Sequence, residues 1–385
     1  MNKGVKFRIY PNSKQKDLIN KTLGCCRLIY NKGLVMRKDS FDNGSKIGYK
    51  ETSSMLTKLK KDNEYSFLKD VDSIALQQSL RDLDRAYKNF FNKLANYPNF
   101  KSKHNHHQSY RTINQGDNIR IVNKYIKLPK LGYVKVKQSM DIGHINNVTI
   151  QKTSTNKYFV VLNVDFKPTE LPSTSKVIGI DVGLKEFYKD TLGNCVPNPK
   201  YLEKSSKKLI HEQRKLSHMI ESHITGYKTI GNKRFPIYDK SLSDCKNIQK
   251  QSKKVASIHE KITNQRNDFL QQESTKLIRE NQIIGIEDLN VSGLLQNHNL
   301  AKSISSVSWS KFFTMLEYKA KWYGRAVIKV PRWYPSSQMC SCCGYKNPEV
   351  KDLKIRKWTC PQCGAVHDRD FNASDNILDK ALALV

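Results

Sequence analysis

Acidic residues are scarce in this sequence. Its 385 residues include 35 Asp and Glu against 67 Lys and Arg, which gives a formal net charge of +32. Such an excess of positive charge repels itself unless a polyanion is the working partner, so the composition predicts a nucleic-acid-binding protein. An anionic membrane surface is the competing explanation. It predicts one basic amphipathic segment, whereas the basic residues here run through the whole chain.

Long apolar runs are also absent from the sequence. No stretch approaches the roughly 18 consecutive apolar residues that a transmembrane helix needs. The first ten residues, MNKGVKFRIY, lack the apolar run of a signal peptide. We therefore expect an intracellular protein without a membrane partner. In a reducing compartment, its nine cysteines are read as metal ligands before disulfides.

The sequence pattern of the N-terminal part changes from strand to helix. Residues 5–10 (VKFRIY) alternate apolar and basic and stop at Pro11, which predicts a short strand with one buried face. Apolar residues then recur at helical spacing over residues 18–34 and, after a polar interval, over residues 76–94. Asp72 and Ser73 are candidate N-caps for the second of these helices.

The later sequence predicts a sheet, a linker and a mixed α/β region. Residues 104–166 have a period of two, typical of a small antiparallel sheet or barrel. The segment 167–176 (KPTELPSTSK) is rich in Pro, Ser and Thr and indicates a domain boundary. Beyond it the sequence predicts two buried strands separated by two long basic helices: VIGIDVGL (177–184), residues 201–222, residues 248–280 and IIGIEDL (283–289).

Three acids stand out in this basic chain. Asp181 follows the mostly apolar residues 177–180, and Glu287 repeats the arrangement after residues 283–286. Asp370 precedes a segment whose apolar spacing predicts a C-terminal helix. Carboxylates brought together would repel one another unless hard cations neutralise them. Two Mg²⁺ about 3.5 to 4 Å apart are the usual solution in nucleases.

Each acid alone is weak evidence. A single acid after a strand is more often a cap or loop residue, and three neighbours compete for the role: Asp288, Asp368 and Asp375. The set is stronger than its parts. An Asp on one strand, a Glu on another and an Asp at a late helix are the acid placements of RNase H-like nucleases.

Four cysteines have the spacing of a zinc site. The pattern is C-x2-C, sixteen intervening residues and C-x2-C, formed by Cys340, Cys343, Cys360 and Cys363. A glycine follows the second cysteine of each pair and permits a tight turn, and four thiolates suit one tetrahedral Zn²⁺. Such a site has no open position for water, so the zinc is expected to be structural. We interpret Cys342 as a spare thiol.

These residues give the chain a family resemblance. It resembles TnpB, the OrfB-type protein of insertion sequences that is related to the type V CRISPR effectors. The matching stretches follow the family order over nearly the whole length: KFRIYPNSKQ, LGCCRLIYNKGL, SIALQQSLRDLDRAYKNFF, YIKLPKLGYVKVK, IGIDVGLKEF, IIGIEDLNVSG, WYGRAVIKV, YPSSQMCSCCG and WTCPQCGAVHDRDFNAS. The segment 221–242 departs from the pattern because it is longer than expected.

The resemblance implies an α/β multidomain fold built around an RNase H-like RuvC nuclease domain with an inserted zinc finger. The implied domains are a β-rich wedge (1–10 and 104–170), a helical recognition insertion (11–103), the RuvC-like domain (171–334 and 368–385) and the four-cysteine finger (335–367). It also implies a cytoplasmic protein, encoded by a prokaryote or a mobile element.

The resemblance further implies an RNA-guided DNA endonuclease. A transposon-derived guide RNA would select a double-stranded DNA target, and the protein would read a short motif beside it. Asp181, Glu287 and Asp370 match the family's catalytic, Mg²⁺-binding acids, and the four spaced cysteines match its zinc ligands. Gln77 or Gln78 could read adenine edges of the motif, or could simply lie on a polar helix face. A monomer is expected, although the oligomeric state stays open.

Two other functions remain alternatives. A nuclease-dead relative would bind guide and target but only block transcription, and it would be expected to have lost at least one acid. A cut-and-paste transposase would use the acids to join strands. Three intact acids argue against the nuclease-dead relative, and the four-cysteine finger just before the last acid favours the guided nuclease over the transposase.

Overall fold

The computed structural model describes residues 1–105 and 107–385. The chain divides into two compact units, Met1–Lys167 and Pro168–Val385. The division falls at the start of the Pro- and Ser-rich segment predicted to be a linker. None of the helices in the described part of the chain is both long and apolar enough to span a membrane.

The first unit is built on a seven-stranded antiparallel sheet. Its strands are β1 (Asn2–Tyr10), β2 (Gln108–Ile113), β3 (Arg120–Val122), β4 (Tyr125–Leu128), β5 (Gly132–Lys137), β6 (Ile145–Lys152) and β7 (Tyr158–Asp165). Their order is β2-β6-β7-β1-β5-β4-β3. The N-terminal strand therefore lies in the middle, where it pairs with β7 on one side and β5 on the other. Val5, Phe7 and Ile9 face the core, as the alternation predicted.

Three helices accompany this sheet. They are α1 (Ser13–Asp42), α2 (Tyr49–Leu59) and α3 (Ser73–Phe91). Asn12 and Gln15 form a capping box at the start of α1. The carboxylate of Asp72 accepts the backbone amide of Ile74, which confirms the predicted cap of α3. Gly33 of α1 lets this helix pack closely against α3, since a methyl group there would lie 2.9 Å from a methyl carbon of Leu80.

The second unit contains a five-stranded mixed sheet and two hairpins. Its strands are β8 (Val177–Val182), β9 (Glu186–Asp190), β10 (Cys195–Pro197), β11 (Ile224–Ile230), β12 (Lys233–Tyr238), β13 (Ile283–Glu287), β14 (Ala326–Val330), β15 (Lys357–Thr359) and β16 (Val366–Asp368). The sheet order is β10-β9-β8-β13-β14, with β8, β13 and β14 parallel to one another. The predicted buried strands are thus adjacent at its centre.

Helices cover both faces of this sheet. The α-helices of this unit are α4 (Tyr201–Glu221), α5 (Lys246–Glu280), α6 (Val291–Leu294), α7 (Ala301–Val307), α8 (Trp309–Tyr323) and α9 (Arg369–Leu382). On one face Ile180 and Ile286 join a core with Leu277 of α5 and Phe312 and Leu316 of α8. The apolar face of α8 is therefore part of the core. On the other face lies the C-terminal helix α9.

Between the two basic helices the chain forms an unpredicted hairpin. The segment 221–242 contains β11 and β12, paired from Ile224↔Tyr238 to Ile230↔Lys233. The side chains of Tyr227 and Phe235 are exposed, and the guanidinium of Arg234 lies 4.1 Å from the ring centroid of Tyr227. The length of this segment is the feature that set the chain apart from its family pattern.

Two glycines allow α9 to lie directly on the sheet. A methyl group on Gly179 of β8 would overlap the carbonyl oxygen of Ser374 in α9. One on Gly285 of β13 would lie 2.9 Å from the Cβ of Ala381 and 3.1 Å from the carbonyl oxygen of Ile377. Real Cβ atoms essentially never come within 3.0 Å of another heavy atom, and each glycine has at least one such contact, so a larger residue at either position would push the helix away.

This packing generates a prediction about stability. We expect Gly179→Ala to lower the stability of the second unit by about 2 kcal/mol, or roughly 4 to 8 °C in Tm, because the helix backbone cannot yield as a side chain could. Gly226→Ala in β11 is the matched control, since no heavy atom lies within 4 Å of its added methyl group. Equal Tm values for the two variants would contradict the close-packing argument.

Candidate functional site

Asp181 and Glu287 emerge side by side from the centre of the sheet. β8 and β13 run parallel, with Ile178 opposite Ile284 and Gly179 opposite Gly285. The same register, continued two residues further, sets Glu287 beside Asp181. Because side chains alternate along a strand, both acids leave the sheet on the face where the glycines meet α9.

Asp370 lies in the first turn of α9. The carboxylate of Asp368 caps this helix by accepting the backbone amides of Asp370 and Phe371, at 3.1 and 3.2 Å. Ser374, one turn further along, touches Gly179. Asp370 is therefore carried to the end of β8 at which Asp181 emerges, and the structure brings the three predicted acids together.

The pKa values show how these acids affect one another. Burial raises the pKa of Asp181 well above its ordinary value, and the charges of Glu287 and Asp370 raise it further. Burial also raises the pKa of Glu287, although a hydrogen bond from the hydroxyl of Ser336 acts in the opposite direction. Ionised carboxylates are thus disfavoured here in the absence of a compensating cation.

The donor set fits a hard divalent cation. Carboxylate oxygens are the ligands that Mg²⁺ prefers, and two of these acids pay an electrostatic cost that a cation would remove. Among the described residues, however, only cysteine-containing groups bring three ligand atoms within 4.8 Å of one another. The oxygens of Asp181, Glu287 and Asp370 are spread more widely than that, so one ion would not be enclosed by all three in this conformation.

Lys189 and Arg356 partly balance the acids at the start of α9. The ammonium of Lys189 in β9 lies 2.9 Å from a carboxylate oxygen of Asp368 and 3.5 Å from one of Asp370. Arg356 lies 3.4 Å from the other oxygen of Asp370. Sequence reasoning missed both cations, because a lysine in a strand and an arginine in a basic loop carry no distinguishing signal in so basic a chain.

The competing acids lie close by but have other contacts. Asp288 pairs with Arg332 at 2.9 Å on the surface. Asp368 caps α9 and pairs with Lys189; burial would raise its pKa, but this lysine and the backbone amides hold it below its usual range. Burial and then Asp379 raise the pKa of Asp375.

The four spaced cysteines converge in a separate cluster. The sulfur atoms of Cys340, Cys343, Cys360 and Cys363 all lie within 4.8 Å of one another. The two glycines that follow the pairs have φ values of 75° and 72°, in the left-handed region, as the tight turns require. The cluster could bind zinc.

The two halves of the cluster have matching backbone contacts. The amide of Gly344 donates to the carbonyl of Cys340, and that of Gly364 donates to the carbonyl of Cys360. Desolvation acts to raise the pKa of Cys360, but backbone amides outweigh it and lower the pKa to about 7. This favours at Cys360 the thiolate form that a metal requires. At Cys343 a backbone amide acts to lower the pKa, but desolvation and hydrogen bonds among the thiols raise it to about 12.

A second group of possible ligands shares one of these cysteines. Cys340, Cys342 and His367 also lie within 4.8 Å of one another, and Nε2 of His367 is 3.0 Å from Sγ of Cys340. His367 is buried and its ring lies 4.8 Å from that of Trp358. Cys342 is exposed.

The two glutamines proposed to read a DNA motif have different surroundings. Gln77 is exposed on α3. Gln78 is only 5% exposed, so its amide faces the protein. A base-reading role for either glutamine stays a prediction, and the structure makes Gln77 the more accessible of the two.

Three family descriptions match parts of the chain. Residues 158–298 match the OrfB family described as "Probable transposase", and residues 309–377 match the "Cas12f1-like, TNB domain". The second match includes all four clustered cysteines. Residues 1–46 match a "Helix-turn-helix domain" of the same OrfB group. In this structure those residues form β1 and the long helix α1, without the turn between two helices that the description names.

Whole-length relatives decide the family. A Streptomyces pristinaespiralis protein named "Putative RNA-guided DNA endonuclease" is 35% identical, over 99% of this chain and 90% of its own length. An Escherichia coli K12 protein with a similar name is 30% identical, over 97% of this chain and 90% of its own length. The chain belongs to the TnpB (OrfB) family. This confirms the resemblance inferred from the sequence motifs.

A solved structure supports the same fold for this TnpB-family chain. It is that of a Cas12f1 protein in complex with a single guide RNA and target DNA. The TM-score is 0.56 with 14% sequence identity, and the match covers 98% of each chain. The mixed α/β, multidomain fold of this chain thus resembles that of Cas12f.

The cysteine cluster generates a prediction about metal content. We expect one zinc ion per chain, and we expect Cys360→Ser to lose it, because three thiolates cannot complete a tetrahedral site. Elemental analysis of the purified protein measures this. Cys342→Ser should keep its zinc and is the control. Full zinc retention by Cys360→Ser would contradict the assignment and point to Cys342 or His367 as a ligand.

The raised pKa of Asp181 generates a second prediction. In Mg²⁺-free buffer at neutral pH, Asp181→Asn should raise Tm by a few degrees, which corresponds to about 1 kcal/mol in the free energy of unfolding. The reason is that the fold disfavours the ionised carboxylate, whereas Asn has no charge. For the same reason, the wild type should approach the variant in Tm as the pH is lowered. Mg²⁺ should then stabilise the wild type more than the variant.

Asp288→Asn is the control for this measurement, since Asp288 lies on the surface beside Arg332. It should change the free energy of unfolding in Mg²⁺-free buffer, and the stabilisation by Mg²⁺, by no more than about 0.5 kcal/mol each. A lower Tm for Asp181→Asn than for the wild type would contradict this prediction. Equal stabilisation of the wild type, Asp181→Asn and Asp288→Asn by Mg²⁺ would also contradict it, because the buried carboxylate would then have no part in binding the cation.

Proposed function

We propose that this chain is an RNA-guided DNA endonuclease that cleaves with Asp181, Glu287 and Asp370. One observation carries the proposal. Acids from two adjacent parallel strands and from the helix packed against them share one site, in a chain of formal net charge +32. A cluster of carboxylates repels phosphate unless cations intervene, so it has little use in binding nucleic acid and a clear use in cutting it.

The residues of the site have separable tasks. Asp181, Glu287 and Asp370 would hold Mg²⁺, which, when bound, supplies Lewis acidity for hydrolysis of a phosphodiester. Lys189 limits the charge at Asp370 and Asp368 and keeps the start of α9 in place. The hydroxyl of Ser336 donates a hydrogen bond to Glu287 and so restricts the orientation of that carboxylate.

The surrounding chain is assigned to the domains that the family resemblance implies. Residues 171–334 and 368–385 form an RNase H-like RuvC domain, and residues 335–367 form a finger with one structural zinc. Residues 1–10 and 104–170 form the wedge, and residues 11–103 form the recognition insertion. The position of β1 at the centre of the first sheet supports the discontinuous wedge, since the strand completes a sheet formed mainly by residues 108–165.

Guide RNA and target DNA are the proposed partners. The names of the relatives and the complex of the Cas12f1 structure support this assignment. The excess of Lys and Arg supports it physically, since phosphate contacts position a nucleic acid and base pairing with a guide reads its sequence. Three intact acids favour a nuclease over a nuclease-dead repressor.

The test is Mg²⁺-dependent cleavage of double-stranded DNA by the protein loaded with RNA from its own locus. Asp181→Ala, Glu287→Ala and Asp370→Ala should each lose at least about 100-fold in cleavage, because the acids act as one unit. Each variant should still bind guide and target, since binding depends on the basic surface and on base pairing.

Asp288→Ala is the matched control and should cleave at close to the wild-type rate. Cleavage that is independent of the guide, or substantial cleavage by Asp370→Ala, would contradict the proposal. Equal losses in Asp370→Ala and Asp368→Ala would leave the third acid wrongly assigned, although Asp368→Ala is expected to lose some activity through its cap of α9.

A further inference from the structure

Two buried asparagines of α9 hold the first cysteine turn of the zinc cluster. Asn372 accepts the backbone amide of Ser341 at 2.9 Å and donates to the carbonyl of Met339 at 2.6 Å. Asn376 donates to the same Met339 carbonyl at 2.7 Å and to the carbonyl of Ser336 at 2.8 Å. The segment 336–341, which includes Cys340, is thereby attached to the helix that carries Asp370.

The same segment also reaches Glu287. The backbone carbonyl of Ser336 receives the Asn376 amide, while its hydroxyl donates to a carboxylate oxygen of Glu287. Ser336 is 5% exposed, Asn372 is 2% exposed and Asn376 is 4% exposed. These hydrogen bonds therefore form away from water, where an unmet donor or acceptor is costly.

Asparagine suits these two positions for a chemical reason. Residues four apart lie on the same face of a helix, so Asn372 and Asn376 point at one segment of backbone. An amide offers both a donor and an acceptor, and Asn372 uses both at once. An aspartate at either position would place a carboxylate oxygen against the Met339 carbonyl oxygen. An alanine would remove one of the two side-chain amides that donate to this carbonyl.

A second connection reaches α9 from the other side of the cluster. His367, whose Nε2 lies 3.0 Å from Sγ of Cys340, comes directly before Asp368, the cap of α9. Cys340 is thus tied to the start of α9 through β16 as well as to its middle through Asn372. Two separate routes link one cysteine of the cluster to the helix that carries Asp370.

We propose that Asn372 and Asn376 are positioning residues which make the geometry of the acid site depend on the folded cysteine turn. They tie the turn to the helix of Asp370, and through Ser336 they tie it to Glu287. Loss of the cysteine turn would then loosen two of the three acids without altering any of them. The inference builds on the proposed nuclease function, because it concerns the same carboxylates.

The coupling predicts a particular pattern of defects. Asn372→Ala and Asn376→Ala should keep zinc and target binding, lose about 10- to 100-fold in cleavage and need more Mg²⁺ for half-maximal rate, as expected when residues that orient metal ligands are removed. Ser336→Ala should show the same defect. Ser336→Thr keeps the hydroxyl and should restore much of the activity.

Asn281→Ala is the matched control for simple destabilisation. Asn281 is also buried, at 2% exposure, and donates its amide to a backbone carbonyl, but it does so at the end of α5. At equal loss of Tm, Asn281→Ala should keep the wild-type Mg²⁺ requirement. If Asn376→Ala and Asn281→Ala lose cleavage equally, with unchanged Mg²⁺ requirements, the positioning role is wrong.

A readout without cleavage separates this inference from the proposed function. The rise in Tm that Mg²⁺ produces should be smaller in Asn372→Ala and Asn376→Ala than in the wild type. If Mg²⁺ raises the Tm of the wild type but the protein does not cut guided targets, the proposed function is wrong. The positioning role of the asparagines is then tested by the Tm shifts alone. If Mg²⁺ raises the Tm of both variants as much as that of the wild type, only the positioning role is wrong. If Mg²⁺ does not change the Tm of the wild type, both the positioning role and the proposed function are wrong.

Discussion

The acid site depends on the direct contact between the backbone of α9 and the two central strands of the sheet. Ordinary side chains at positions 179 and 285 would hold the helix away from the strands. Glycine at both positions removes that spacer, so the carbonyl of Ser374 reaches β8. Each glycine precedes an acid by two residues, so the period of a strand sends both carboxylates to the side of the helix. A looser contact would move Asp370 away from Asp181 and Glu287.

This close approach has an electrostatic cost. The pKa of Asp181 is raised by its own burial and by the neighbouring carboxylates, and burial also raises that of Glu287. Lys189 and Arg356 offset part of the charge at Asp370. Carboxylates that are destabilised without cations and stabilised when cations bind would account for the Mg²⁺ dependence that we propose. The excess of positive charge in the whole chain would then attract the proposed nucleic-acid partners.

Much of the fold could be predicted because the elements are encoded locally. The strand before Pro11, the cap at Asp72 and the two basic helices follow from short patterns, and the structure confirms them. The hairpin at 224–238 was missed. Its alternation is obscured by glycines and a proline, and most of its apolar side chains are exposed, so no buried face marks it. Ser336 was missed because a serine in a loop shows its role only when Glu287 lies beside it.

By itself, the sequence determined the family, the two strand–acid patterns and the C-x2-C pairs, and it predicted a polyanionic partner. These depend on residue type and on spacing within a few positions, which the chain order shows directly. Only the tertiary structure decided that β8 and β13 are adjacent and parallel in the register that sets Asp181 beside Glu287. It alone decided that α9 meets them through Gly179 and Gly285. Those contacts join residues about a hundred to two hundred positions apart, and their geometry comes from packing, which no local pattern encodes.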